Sequence, residues 1–273
     1  MQNILITGCS SGIGLQTAKD LKKNGIKVYA SARKQDDVDM LKDLGFNTFL
    51  LDVTNPTHIK EALEQIVKND SKIDAVFNNA GFGQPGALED IKTDVLREQF
   101  ETNVFGLHEL TRQVLPYMRE QGYGKIIQHS SVLGIISLRF RGAYNASKYA
   151  IEGLADTLRL ELAGTKISIC TINTGPVTSK FRENAIKKFQ ANVDQENSAY
   201  KKEYDTQLNA RLENDKDTTP FNLPASSVAS VIQNIMNTDN PKPRYYVTKA
   251  THILGFFKRI LSTDFLDKIL VKI

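Results

Sequence analysis

A chain of 273 residues, 41% hydrophobic and 24% charged, has an ordinary soluble globular composition and enough length for one large core. Its net charge of +4 is too small to point to nucleic acid, and two cysteines (Cys9, Cys170) with four scattered histidines give neither a disulfide framework nor a metal-ligand spacing. No run of 18 apolar residues is present, which excludes a spanning helix, and the N-terminus lacks the basic and apolar regions of a signal peptide, so a cytoplasmic protein is expected.

In chain order, short β-rich runs alternate with helical patterns. Residues 3–7 read as a strand, and 14–24 as a helix with Leu15, Ala18 and Leu21 on one face. Residues 27–31 are a strand, 36–44 a helix, 48–51 a strand, and 57–68 a helix presenting Ile59, Ala62, Leu63, Ile66 and Val67. Residues 73–77 are a strand before a long helix over about 93–118. A strand at 125–128, a helix at 143–163 and a strand at 166–172 follow. This alternation calls for right-handed crossovers and a parallel sheet covered on both faces, and the continuous apolar runs Ile4-Leu5-Ile6 and Ala75-Val76-Phe77 suit doubly buried strands. The expected fold is α/β, a doubly wound parallel sheet with ligands beyond the carboxyl ends of its strands.

The alternation weakens after Ser179. Residues 182–220 are polar and lysine-rich, with Tyr200, Tyr204 and Leu208 at helical spacing. They read either as a helical lid over the strand ends, at about 180–220, or as a solvated surface loop. A helix at 224–236 and a last strand at 244–247 complete one domain over 1–250, and 251–273 form an amphipathic helical tail. Seven Lys or Arg against two Asp lie beyond residue 241, so the positive excess sits at that end.

Two stretches carry chemistry. Thr7-Gly8-Cys9-Ser10-Ser11-Gly12-Ile13-Gly14 joins the first strand to the first helix. Its glycines let the backbone turn sharply and approach a diphosphate, and the helix N-terminus adds free N–H groups and a positive dipole end. The spacing differs from the dinucleotide fingerprint Gly-x-Gly-x-x-Gly; its place between strand and helix is what strengthens it. Further on, Tyr144 and Lys148 stand four residues apart and share a helix face, with Ser131 thirteen residues before the tyrosine. A neighbouring ammonium favours phenolate and lowers a tyrosine pKa from its usual value of about 10, and such a phenol exchanges a proton with a carbonyl or alcohol oxygen. Taken alone, the pair is more often just a buried aromatic beside an exposed lysine, because such spacings arise by chance.

Together these motifs resemble the short-chain dehydrogenase/reductase family. The turn matches Thr-Gly-x-x-x-Gly-x-Gly, Asn78-Asn79-Ala80-Gly81 matches the motif after the fourth strand, and Asn103 in Asn103-Val104-Phe105-Gly106 matches the family's helix asparagine. Ser131, Tyr144 and Lys148 match its catalytic serine and Tyr-x-x-x-Lys. The resemblance implies a Rossmann-type sheet and hydride transfer between nicotinamide and a carbonyl carbon while Tyr144 protonates the oxygen, the reverse direction oxidising an alcohol. Lys148 would lower the Tyr144 pKa and bind ribose hydroxyls. Ser131, with Ser130 as the adjacent alternative, would hold the substrate oxygen, and Asn103 a water linking Lys148 to solvent. Cofactor contacts are implied for Gly8, Ser10, Ser11, Gly12, Ile13, Gly14, Asp52, Val53, Asn79, Ala80, Gly81, Tyr144, Lys148, Gly175, Val177 and Ser179.

Four positions bear on cofactor and loop. The second strand ends Tyr29-Ala30-Ser31-Ala32-Arg33-Lys34, without the carboxylate that pairs with the free ribose hydroxyl of NAD. Arg33 can grip a 2′-phosphate, so NADP(H) is expected over NAD(H). Asp52 matches the aspartate at the adenine edge, or else caps the helix after Asn55-Pro56. The family's Pro-Gly after the sixth strand is Thr174-Gly175 here, which leaves the stiffness of that loop open, and Ser179 stands where threonine usually contacts the carboxamide.

Residues 150–162 resemble the branch containing 17β-hydroxysteroid dehydrogenases, retinol dehydrogenases and acyl-dihydroxyacetone-phosphate reductases, which handle lipophilic alcohols and ketones. The expectation is an NADP(H)-dependent oxidoreductase acting on a hydrophobic carbonyl or alcohol and assembling as a homo-oligomer. The alternatives are an NADP-binding sensor or scaffold without turnover, and a soluble acyl-thioester ketoreductase. Arg139 and Arg141 are substrate-anion contacts or exposed loop arginines. The tail, with Phe256, Phe257, Ile260, Phe265 and Leu266 interleaved with Lys258, Arg259 and Lys268, reads mostly as a helix pair packed on the core or across a dimer, and otherwise as a peripheral membrane contact. No nucleic acid partner and no metal are expected.

Overall fold

The structure is a computed structural model and describes residues 1–208 and 219–273. Its parallel sheet is built from β1 (Asn3–Ile6), β2 (Lys27–Ala32), β3 (Asn47–Leu50), β4 (Ala75–Asn78), β5 (Tyr123–Ser131), β6 (Lys166–Thr174) and β7 (Arg244–Tyr246), in the spatial order β3-β2-β1-β4-β5-β6-β7. The chain leaves β1 toward β2 on one side and returns to β4 on the other, so a crevice opens at the carboxyl ends of β1 and β4.

Side chains alternate across the pleat. Ile4, Ile6, Phe77 and Ile127 point into a core closed by α1 (Gly12–Lys23), α2 (Gln35–Asp43) and α9 (Ser226–Asn237). Leu5, Val76 and Ile126 point to the opposite core under α3 (Pro56–Asp70), α5 (Leu107–Gln121) and α6 (Gly142–Glu161). Both sides are dry, which is why these strands read as unbroken apolar runs. Each fully buried Ile, Leu or Phe adds about 1.5–3 kcal/mol.

The structure adds features to this outline that place the site. β5 runs three residues beyond the expected 125–128 and pairs Ser131 with Thr174 at the sheet's rim. The long helix is broken: α4 (Thr93–Phe100) passes into α5 through a π-helical turn, Glu101–Gly106, centred on Asn103. Gly106 makes the fit possible, since a Cβ there would lie 2.7 Å from the Val53 carbonyl oxygen.

After β6 come α7 (Phe181–Asn192), the short α8 (Lys201–Glu203) and a π-helical turn, Tyr204–Leu208. One face of this part of the 180–220 stretch is docked on the domain, while the other is solvated. Phe189 and Tyr204 are fully buried with Ala87 and Val193, and the Tyr204 hydroxyl accepts from the Ala87 N–H (2.8 Å) and donates to Asp90. Residues 209–218 of the expected lid lie outside the described residues.

The tail forms α10 (Lys249–Ile260) and α11 (Thr263–Leu270), and it divides its apolar surface. Leu266 and Leu270 are buried against Val132 and Ile136, flanked by Leu254, Phe257 and Leu261. Phe256, Ile260 and Phe265 face outward, 56–58% exposed, beside exposed Lys258, Arg259 and Lys268. Among the described residues no helix is long and apolar enough to cross a membrane.

Candidate active site

The glycine turn between β1 and α1 is shaped by close approach. Gly8 and Gly12 have φ of 71° and 57°. A Cβ at Gly14 would lie 2.3 Å from the Gly8 carbonyl oxygen and 2.6 Å from Asn79 Nδ2. Asn79, just past β4, pins the turn by donating from Nδ2 to the carbonyls of Thr7 (2.9 Å) and Gly8 (3.1 Å). The N–H groups of Asn79 and Ala80 both donate to the Thr7 hydroxyl (3.0 and 2.9 Å). Ser11 is the extended N-cap of α1 and makes no side-chain cap bond, so the first-turn N–H groups and the positive dipole end are left to the crevice. Ser10, Ser11 and Ile13 line its half-buried mouth.

The flanking positions follow. Arg33 and Lys34 are exposed just beyond β2, whose Ser31 carbonyl accepts from the Cys9 N–H (2.8 Å) and so ties that strand end to the turn. Asp52 is not the cap of α3. Its Oδ1 accepts from the N–H and hydroxyl of Thr54 (2.9 and 2.8 Å), while Asn55 caps the helix and Pro56 takes its first position. Val53 is buried under Gly106. Gly81 presses against Asn103, where a Cβ would come within 3.0 Å of Oδ1.

On the opposite lip, β5 delivers Ser131 and α6 delivers Tyr144 and Lys148. The Ser131 hydroxyl donates to the Thr174 carbonyl (3.3 Å), accepts from the Leu133 N–H (3.1 Å) and meets the Tyr144 phenol. Ser130 points away: its hydroxyl is buried without a hydrogen-bond partner among the described residues, in the space where a Cβ on Gly134 would fall 2.7 Å from it. Strand parity thus separates the two serines. The Lys148 ammonium donates to the His129 carbonyl (2.6 Å) and stands 5.4 Å from the Tyr144 ring centroid. Burial pushes the Lys148 pKa down to about 8, against an opposing pull from Glu152 one turn on.

The lowered Tyr144 pKa expected from the lysine is not what the structure gives. The ring is only half-buried, yet desolvation pushes the phenol above its ordinary value, and the Ser131 hydrogen bond only partly opposes this. Phe181 of α7 lies on the ring (centroids 5.3 Å apart), and Gly83 makes room for it, since a Cβ there would come 2.7 Å from Phe181 Cζ. The ammonium meanwhile is held on a carbonyl rather than on the phenol oxygen. Desolvation therefore outweighs charge proximity.

Asn103 uses its whole side chain as a clasp. Oδ1 accepts from the Phe82 N–H (3.1 Å), and Nδ2 donates to the Phe82 carbonyl (2.9 Å) and to Ser147 Oγ (3.2 Å). Beyond β6, Gly175 meets the N-cap of α10, where a Cβ would lie 2.1 Å from Thr248 Oγ1. Val177 bridges to Leu223, and Ser179 packs on the glycine turn, 3.1 Å from where a Cβ on Gly12 would sit. The expected cofactor residues therefore gather around the carboxyl ends of the strands, with Val53 buried beneath them. Arg139 is engaged with Glu203 (3.7 Å) and stacks on Phe140.

A model of the short chain dehydrogenase family matches residues 2–190. The chain belongs to the short-chain dehydrogenase family. YbbO, an uncharacterized oxidoreductase of Escherichia coli (strain K12), is 38% identical over 270 residues, covering 98% of this chain and 94% of its own. A 3-ketodihydrosphingosine reductase of Bacteroides thetaiotaomicron is 39% identical over 184 residues, 67% of this chain and 66% of its own. Among solved structures, the closed form of a serine dehydrogenase complexed with NADP+ superposes with a TM-score of 0.78 at 25% identity, covering 92% of this chain and 96% of that one.

This short-chain dehydrogenase carries site neighbours that the motifs do not announce. Phe181 covers the tyrosine. Glu152, buried one turn beyond Lys148, accepts from Asn173 Nδ2 (2.7 Å) and Arg244 Nε (2.9 Å). His129 lies between Asn79 and Thr174. The signal available for His129 was a polar residue ending an apolar strand two positions before Ser131.

Proposed function

We propose that this oxidoreductase uses NADP(H) to interconvert a carbonyl and an alcohol on a lipophilic substrate. The observation that carries the reading is the convergence of Ser131, Tyr144 and Lys148 on one lip of a crevice whose other lip is the glycine turn. That turn fits a dinucleotide: two glycines at positive φ, a third with no room for a methyl group, and uncapped N–H groups at a helix start suit a diphosphate. Gly8, Ser10, Ser11, Gly12, Ile13 and Gly14 would hold it, Arg33 a 2′-phosphate, and Asp52 and Val53 the adenine. Asn79, Ala80, Gly81, Gly175, Val177 and Ser179 would flank the nicotinamide end.

A bound nicotinamide supplies or accepts the hydride. Tyr144, kept protonated by its desolvation, donates its proton to the substrate oxygen in reduction and takes it back in oxidation. Ser131 turns its hydroxyl to the same oxygen as charge builds there. Lys148 spends one N–H on the His129 carbonyl, which leaves two for ribose hydroxyls. Asn103, fastened to Phe82 and Ser147, sits beside the lysine's helix and orders the water path to solvent.

A lipophilic substrate is supported by the Phe181 ring over Tyr144 and by the similarity to a 3-ketodihydrosphingosine reductase. The described part of the expected lid, residues 180–208, serves as the lid, the catalytic domain spans 1–250, and the exposed apolar and basic face of 251–273 gives a cytoplasmic protein its contact with a membrane surface. Assembly as a homo-oligomer follows the habit of the family. The test is nucleotide oxidation at 340 nm with long-chain, retinoid and steroid carbonyls, using NADPH and NADH in parallel. The reading expects turnover of at least one class with NADPH strongly preferred. NADPH binding without turnover of any class would make the protein a sensor, and equal rates with NADH would remove the role given to Arg33.

A further inference from the structure

Position 174 holds threonine where the family motif has proline, yet the loop that follows is folded down on the glycine turn. The side chain that meets Thr174 is His129. Its Nδ1 lies 3.0 Å from Asn79 Oδ1 and its Nε2 lies 3.3 Å from Thr174 Oγ1. The neighbours fix the proton positions. Asn79 Nδ2 donates to two carbonyls, so Oδ1 faces the imidazole and Nδ1 carries the hydrogen. Nε2 is then an acceptor, and the Thr174 hydroxyl donates to it at 3.3 Å in preference to the Ser130 carbonyl at 3.5 Å. The ring rests on Phe77, 5.5 Å between centroids. The ring is half-buried, and its desolvation, with Lys148 close by, pushes the His129 pKa down to about 3, which favours the neutral imidazole. The result is an unbroken line of hydrogen bonds across the crevice floor, from Gly8 through Asn79 and His129 to the residue before Gly175.

We infer that His129 and Thr174 form a brace that sets the spacing between the two lips of the crevice, doing by hydrogen bonding what a proline ring at position 174 does by covalent restraint. His129 is thereby a positioning residue: it touches Asn79 and Thr174, while Tyr144, Ser131 and Lys148 do the chemistry. The effect on cofactor affinity rests on the proposed NADP(H) reading; the brace itself does not.

The test is a double-mutant cycle of His129→Phe and Thr174→Val, with Thr174→Pro made in the presence and absence of His129→Phe. Three readouts are taken: thermal midpoint without nucleotide, imidazole 15N shifts of His129 from pH 5 to 9, and dissociation constants for NADPH and for 2′-phospho-ADP-ribose. Thr174→Val is expected to lower the midpoint by about 2–4 °C when His129 is present and by clearly less alongside His129→Phe. Thr174→Pro is likewise expected to destabilise less alongside His129→Phe, any lost N–H bond cancelling in the cycle. The 15N shifts should report a neutral ring protonated at Nδ1 throughout. NADPH affinity should fall about fivefold in Thr174→Val, with affinity for 2′-phospho-ADP-ribose, which has no nicotinamide, unchanged. Additive midpoints, a hydrogen on Nε2, or a His129 titration inside that range would overturn the brace. Coupled midpoints with NADPH affinity unmoved by Thr174→Val would overturn its role in spacing the lips. If the midpoints couple but even the wild type binds no NADPH, the brace stands and the cofactor reading falls.

Discussion

Removing the charge at Lys148 tests whether burial, rather than pairing, governs this lysine. The side chain is only 6% exposed, and its pKa is pushed from 10.5 down to about 8. Between those values the unfolded chain binds more protons than the folded one, so stability rises with pH across the window, and the full penalty is carried below pH 8. At about 1.4 kcal/mol per pKa unit, the penalty at pH 7 is about 3 kcal/mol. By pH 9.5 the folded lysine is neutral and the unfolded one still mostly charged, which leaves roughly 1 kcal/mol. Wild type should therefore gain about 2 kcal/mol relative to Lys148→Met between pH 7 and 9.5, about 4–8 °C in midpoint for a domain of this size. The comparison stops there because Tyr144, with its raised pKa, loses stability for the fold once unfolded tyrosines ionise near pH 10. Guanidinium melts of both proteins at pH 7, 8, 9 and 9.5 provide the measurement. The bond to the His129 carbonyl is also lost in the variant, but that loss does not vary with pH. Parallel stability curves, or a difference that shrinks with rising pH, would show that burial does not govern this lysine.

Three further outcomes are expected. Gly14→Ala places a methyl group 2.3 Å from a backbone oxygen, so it should cost at least about 2 kcal/mol in stability and abolish NADPH binding, read by chemical denaturation and nucleotide fluorescence. Arg33→Ala should raise the KM for NADPH by about 10- to 100-fold, the worth of a lost charge-assisted contact, and leave the NADH value alone, as initial rates would show. Phe256→Ser combined with Ile260→Ser should weaken flotation with anionic vesicles by about tenfold or more without lowering the thermal midpoint, since both residues face outward. Truncation at residue 250 is the poorer test, because it would strip Leu266 and Leu270 from Val132 and Ile136, next to Ser131.

Periodicity was enough for the sheet and its helices. Leu15, Ala18 and Leu21 or Ile59, Ala62, Leu63 and Ile66 repeat so regularly that little else could form, and local spacing also placed Tyr144 beside Lys148. What stayed hidden depends on partners distant in the chain. The extension of β5 to Ser131 passes through polar His129 and Ser130, so the apolar run stops before the strand does. The π-turn at Asn103 leaves the helical pattern intact on either side and becomes visible only when the asparagine clasps Phe82. The Tyr144 pKa went the other way because Phe181, 37 residues along, covers the ring. The His129–Thr174 contact requires the β5–β6 register, which no single segment encodes. The tail was legible as amphipathic, but only packing could show which half of its apolar surface meets Val132 and Ile136 and which half stays in solvent.

In the proposed reaction Tyr144 hands its proton to a carbonyl held beside a bound nicotinamide. The most direct measurement is single-turnover NADPH oxidation with a long-chain ketone by wild type and Tyr144→Phe, alongside the NADPH dissociation constant of each. A rate at least about 100-fold lower in the variant, with nucleotide affinity unchanged, is the predicted result. A variant that reduces the ketone at the wild-type rate would contradict the claim.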